Sequence, residues 1–149
     1  KPDLVVYTGD QIKGYGVSYK GKGKELENAV AKTINTLLEP VTKRNIPFAV
    51  TFGNHDRQVG ISNKDQFNDI YKALPNCIGT QAEGIDGGGT YNIPIKASDG
   101  SDRDAFNCIF LTAAPMQKAA DMKHLIKNIS WYKAKRDELK EKNGNMCLR

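Results

Sequence analysis

A chain of 149 residues suits one domain, large enough when complete to bury roughly 68–70% of its unfolded surface. A net charge of +5 and a pI near 9.1 raise nucleic acid as a partner, but the lysines are scattered over predicted helix faces rather than interleaved with aromatics, so a solvated surface with mild attraction for anions is expected instead. Three cysteines without C-x-x-C spacing argue against a full disulfide framework, and no apolar run is long enough to span a bilayer.

The first predicted element is a strand, Leu4-Val5-Val6-Tyr7-Thr8, which stops at Gly9-Asp10. A glycine-rich basic stretch follows, from Lys13 to Lys24. It matches neither G-x-x-x-x-G-K-[ST] nor a complete G-x-G-x-x-G, so it is no phosphate loop by pattern. It reads either as a flexible basic loop over the site entrance, placed to help hold an anionic substrate, or as a plain surface loop. Leu26, Val30, Ile34, Leu37 and Val41 then recur at near-helical spacing, which predicts an amphipathic helix from about Glu25, with Pro40 kinking it or ending it near Glu39.

The strongest strand signal comes next. Phe48-Ala49-Val50-Thr51-Phe52 is unbroken and ends at Gly53, as a strand buried on both faces does in a parallel sheet flanked by helices. The unit is β-α-β. Two parallel neighbours lie about 4.8 Å apart, so Asp10 and Asn54 are expected to emerge side by side. Ligands collect at the carboxyl ends of such strands. A carboxylate and an amide oxygen are hard donors suited to a divalent cation. His55 and Asp56 follow directly, and Arg57 is placed either to reach a phosphate or to serve as a surface arginine.

Ser62 is positioned to cap a helix with Phe67, Ile70, Tyr71 and Leu74 on one face, stopped by Pro75. Asp86-Gly87-Gly88-Gly89 is a turn. Tyr91, Ile93 and Ile95 alternate with polar residues and Pro94, which predicts an edge or bulged strand. The polar run from Ala97 to Asp104 makes a hairpin loop, and Phe106 to Thr112 returns as a more buried strand. Asp99, Asp102 and Asp104 lack the closing glutamate of a calcium loop. A short helix around Met122, Leu125, Ile126 and Ile129 carries His124, read as a surface residue. Ser130 is expected to cap a second helix, Trp131 to Lys142, ending at Asn143-Gly144. Asn128-Ile129-Ser130 fits the glycosylation pattern, which is common by chance.

Gly9-Asp10 and Gly53-Asn54-His55-Asp56, each after a predicted strand, resemble the second and third motifs of the calcineurin-like metallophosphoesterase superfamily. Tyr7-Thr8-Gly9-Asp10-Gln11-Ile12 and Asn45-Ile46-Pro47-Phe48 look like its purple acid phosphatase-related branch. The resemblance continues faintly through Asn107 to Leu111 and Ser130 to Tyr132. It implies an α/β fold of the layered αββα type, with parallel motif strands and an antiparallel hairpin. It implies that the chain is the central part of one phosphoesterase domain, with the family's Asp-x-His and His-x-His motifs beyond its two ends.

By the same resemblance Asp10 would bridge two metal ions, Asn54 would bind one, and His55 would act beside the substrate as proton donor or phosphate-orienting group. The cofactors implied are two ions among Fe, Mn and Zn, and the partner implied is a phosphoester substrate. Lys13 stands where the coloured members carry a tyrosine, and Tyr15 is out of register to replace it, which implies a colourless metal pair. The alternative is a non-catalytic scaffold that keeps the fold without a complete metal site. The compartment, cytoplasmic or secreted, stays open.

Overall fold

The computed structural model of the chain describes residues 1–14, 19–112 and 119–143. Its elements in order are β1 (Val5–Tyr7), α1 (Lys24–Thr42), β2 (Phe48–Val50), a 3-10 turn (Asp56–Val59), α2 (Asn63–Asp65) widening into a π-type turn (Gln66–Tyr71), β3 (Tyr91–Lys96), β4 (Asp104–Phe110) and α3 (Ala119–Asn143). The fold is mixed α/β. β1 and β2 run parallel, with Val5 opposite Phe48 and Tyr7 opposite Val50. β3 and β4 form an antiparallel hairpin as a separate two-stranded sheet.

β2 is the centre. Phe48, Ala49 and Val50 are fully buried, as the unbroken apolar run requires, while β1 turns Val6 outward. Among the described residues, the far side of β2 is closed by loop and side-chain groups. The Phe48 N–H donates to the Asn76 carbonyl at 2.9 Å, and the Ile78 N–H donates to the Phe48 carbonyl at 2.9 Å. The Tyr91 phenol then takes both backbone groups of Val50, donating to its carbonyl at 2.7 Å and accepting from its N–H at 2.9 Å. The orphan groups of a short buried strand are thereby satisfied.

α1 buries Val30, Ile34, Leu38 and Val41. The buried leucine of this stretch is Leu38, whereas Leu37, expected there, is exposed. Pro40 does not end the helix at Glu39. Its missing N–H removes one bond, but Val41 is anchored in the core and the Thr42 hydroxyl donates to the Leu38 carbonyl at 3.1 Å, which carries the last turn on to Thr42.

Ser62 caps α2 as expected, its hydroxyl accepting from the Asp65 N–H at 3.1 Å. The Lys72 N–H donates five residues back to Phe67 at 2.9 Å, the mark of a π turn. This widening accompanies the burial of Phe67, Ile70 and Tyr71. Phe52 sits edge-on to Tyr71 at 5.7 Å and to Phe67 at 6.3 Å between ring centroids. Tyr91 stacks on Phe110 at 4.7 Å, which joins the hairpin to the same core.

β4 begins at Asp104 rather than Phe106 and ends at Phe110. Asp104 pairs with Lys96, after a register shift beyond Ile95, and its carboxylate lies 2.9 Å from both Lys96 and Lys142. That charge pairing draws the ladder past Phe106, which is exposed, so this end of β4 is less buried than expected. Pro94 lies opposite Asn107, and the irregularity expected near it falls two residues on.

α3 is one helix of 25 residues, not two. No glycine or proline interrupts Ala119 to Asn143, so Ser130 is an interior position with no helix start to cap. Asn128 is buried and its side-chain amide faces the Thr112 carbonyl, so the acceptor asparagine of the glycosylation pattern faces inward. Trp131 lines a cleft with Tyr91 and Asn92 of β3. No helix of the described residues is long and apolar enough to cross a membrane. Tyr15, Gly144 and Cys147 lie outside the described residues.

Candidate metal centre

The two strand ends meet through their glycines. Gly9 adopts φ of 109°, and a Cβ there would lie 2.4 Å from the Gly53 nitrogen. A Cβ on Gly53 would lie 2.2 Å from the Asp10 carboxylate. Real Cβ contacts do not come so close, so both residues must lack a side chain for the loops to touch. The Thr51 N–H donates to the Tyr7 carbonyl at 3.0 Å, which continues the parallel register to the loops themselves.

Asp10 follows with φ of 53°, left-handed for a non-glycine residue and accessible to aspartate. From there its Oδ1 accepts the His55 N–H at 2.8 Å. The carboxylate of the first loop thus reaches the Asn54-His55 peptide of the second. Asp10 and Asn54 are exposed, and His55 is half-buried at the start of the 3-10 turn. The His55 Nδ1 lies 3.0 Å from the Gln58 amide oxygen. An oxygen there can only accept, so it favours the proton on Nδ1 and fixes the plane of the ring. Arg57 is exposed on the same turn, and Gly14 packs on the backbone of His55 and Val59. Of the basic stretch, Gly14 lies beside the histidine backbone.

Asp56 received no role from the sequence, yet it is the most buried polar residue of the region. Its Oδ2 accepts the N–H of Asp10 at 2.8 Å and of Gly53 at 2.8 Å, and its Oδ1 accepts that of Gln11 at 3.0 Å. Burial pushes its carboxyl above the usual range, opposed by these three N–H donors. Gln11 also escaped notice; its side-chain amide donates to the Thr51 carbonyl at 2.8 Å and adds a further tie between the loops. The sequence signal for Asp56 was its place as the last residue of Gly53-Asn54-His55-Asp56.

The donor chemistry fits part of a cation site. His55 occupies one oxygen of Asp10, which leaves the second carboxylate oxygen for a further partner, and Asn54 offers an amide oxygen of the same hard class. Among the described residues, no group of three or more His, Cys, Asp or Glu side chains converges to complete a metal cage. Asp10 and Asn54 can therefore supply two ligands, not a full coordination sphere. His124 is exposed on α3 and is not brought to these loops by any hydrogen bond of the described residues.

A family model described as calcineurin-like phosphoesterase matches residues 1–137. The chain is 33% identical over 119 residues to "Probable inactive purple acid phosphatase 29" of Arabidopsis thaliana, covering 74% of this chain and 28% of that protein. It is 31% identical over 107 residues to "Probable inactive purple acid phosphatase 14" of the same plant, covering 68% and 24%. It is 41% identical over 75 residues to "Phosphatase DCR2" of Saccharomyces cerevisiae, covering 50% and 11%. The chain thus spans about a quarter of the length of the two plant relatives. Comparison with solved structures gave no significant match.

Proposed function

The chain belongs to the calcineurin-like phosphoesterase family, and from that premise we propose that it is the central portion of a metal-dependent phosphoesterase domain, with Asp10 and Asn54 as metal ligands and His55 beside the substrate. The observation that carries this reading is the Asp10–His55 contact across the two loops. It supports a single site at the carboxyl ends of two parallel strands.

Each residue has work suited to its chemistry. Asp10 presents a carboxylate oxygen from a backbone fixed in the left-handed region. Asn54 presents a neutral oxygen and adds no charge to repel an anionic substrate. A bound pair of cations would supply Lewis-acid activation of water and charge neutralisation at the phosphate. His55, its ring plane held by Gln58, is suited to donate a proton to a leaving alkoxide. The identity of the metal, among Fe, Mn and Zn, rests on ligands beyond Asp10 and Asn54.

Purified protein titrated with Mn²⁺, Zn²⁺ or Fe²⁺ and assayed on p-nitrophenyl phosphate and its bis-ester tests the reading. Activity in the wild type that is lost in both Asp10→Ala and His55→Ala supports it. Full activity in either variant overturns the assignment. A second reading, a scaffold that keeps the fold without a working metal pair, is favoured by the incomplete donor set and by the word "inactive" in the names of the two plant proteins. Stoichiometric binding of two ions per chain would remove it.

A further inference from the structure

We propose that Asp56 is the positioning residue of this site: its buried carboxylate clamps the two strand-end loops and thereby holds Asp10 in the conformation that presents its own carboxylate. The part of this inference that concerns metal rests on the reading of Asp10 as a ligand. The clamp itself rests on geometry alone.

Asp56 lies at the start of the 3-10 turn with its side chain sealed from solvent. A carboxylate in such a place demands donors. Every hydrogen bond to its carboxylate oxygens among the described residues comes from backbone: Asp10 and Gln11 of the first loop, and Gly53 of the second. The N–H groups of Asp10 and Gln11 are successive, and Asp10 is left-handed. Successive amides with a left-handed residue among them form a concavity that binds an anion. Here the anion is a side chain of the protein rather than a ligand.

The arrangement is reciprocal. The Asp56 carboxylate holds the Asp10 backbone, and the Asp10 carboxylate holds the His55 backbone, one residue before Asp56. Each carboxylate orders the loop that carries the other. An amide at position 56 keeps the shape but offers one acceptor oxygen, and its NH₂ would face N–H donors. The left-handed state of Asp10 would then lose the acceptor that selects it. Asp56 touches neither substrate nor metal in this scheme. It acts through Asp10.

Two measurements on the chain test this. In metal-free wild type, scalar couplings across hydrogen bonds should connect the amide nitrogens of Asp10, Gln11 and Gly53 to the Asp56 carboxyl carbon. Their absence overturns the clamp without need of any variant. In Asp56→Asn, amide exchange at those three positions should rise at least tenfold while Val30 and Ile34 of α1 keep their protection. Mn²⁺ affinity, read from the electron-spin-resonance signal of the free ion, should fall at least tenfold, with Asp56→Glu recovering much of it. Unchanged exchange at the three amides overturns the proposal. Exchange that rises throughout the chain also overturns it, since Asp56 would then be only a stability residue. Unchanged Mn²⁺ affinity alongside raised local exchange overturns the positioning role. Couplings present in a wild type that binds no Mn²⁺ would refute the metal reading and uphold the clamp, so the two failures are distinct.

Discussion

The hydroxyl of Tyr91 donates to the Val50 carbonyl at 2.7 Å and accepts the Val50 N–H at 2.9 Å, so one side chain from the hairpin does the work of a neighbouring strand. Burial raises the phenol well above its ordinary pKa, and it stays a donor at every working pH. Tyr91→Phe would keep the ring and its stacking on Phe110 but leave two buried backbone groups of β2 without partners. Each unsatisfied group costs about 1–3 kcal/mol. The variant should lose about 2–6 kcal/mol in urea unfolding. A loss below about 0.5 kcal/mol would show that water or backbone closes this edge instead.

Gly53→Ala tests the contact between the loops. The added methyl would sit 2.2 Å from the Asp10 Oδ1 and 2.6 Å from its Cγ. The exposed carboxylate can swing away, but the Asp10 backbone nitrogen, 2.9 Å from the added methyl, cannot, so the two loops must part slightly at a cost of about 1–3 kcal/mol, the usual range for overpacking. The carboxylate would then leave the His55 N–H. Mn²⁺ affinity should drop at least tenfold, more than stability alone predicts. Wild-type affinity in this variant would mean that Asp10 is not held by that contact.

The β-α-β unit was legible because its cues are local. An unbroken apolar run before Gly53 and a second before Gly9 predicted two parallel strands, and Asp10 did arrive at the Asn54-His55 peptide. Asp56 was not legible as a clamp, because nothing in a sequence says that an acid's partners are backbone amides 45 and 46 residues away. Of the two outcomes expected at Pro40, an end near Glu39 did not occur, since Val41 anchors the last turn in the core. Ser130 misled because a helix start needs a break before it, and no glycine or proline flanks this serine. The hairpin end slipped because Asp104 looked like loop, whereas Lys96 and Lys142 on either side make it a strand position.

The loop of that hairpin has its own pH response. Asp99 accepts from the Ser101 hydroxyl at 2.6 Å and N–H at 3.0 Å and lies 3.3 Å from Arg103, which together hold its carboxyl down to about 2. The folded value lies below the unfolded one. Its contribution is therefore present above about pH 4 and is lost as pH falls toward 2. An NMR titration should show the Ser101 amide moving with a midpoint near 2, and Ser101→Ala should raise that midpoint. A midpoint near 4 in the wild type would mean that the turn does not form in solution. Asp99 is exposed, so the global unfolding midpoint should barely register the change.

Leu37 and Leu38 are adjacent in α1 and differ in everything that matters to stability. Leu38 is fully buried, whereas Leu37 is 38% exposed. Leu38→Ala removes side-chain volume from a core shared with Phe48 and Val50, a change that costs about 2–5 kcal/mol. Leu37→Ala trades a surface leucine for a better helix former and should cost under about 1 kcal/mol. Equal losses would contradict the helix rotation described here. α1 is the crossover that sets β1 parallel to β2, yet neither leucine lies in the Gly9-Asp10 or Gly53-His55 loops. Well below the melting temperature, both variants should therefore bind Mn²⁺ as the wild type does. A weakened affinity in folded Leu38→Ala would mean that the packing of α1, as well as the hydrogen bonds at the strand ends, sets where Asp10 stands.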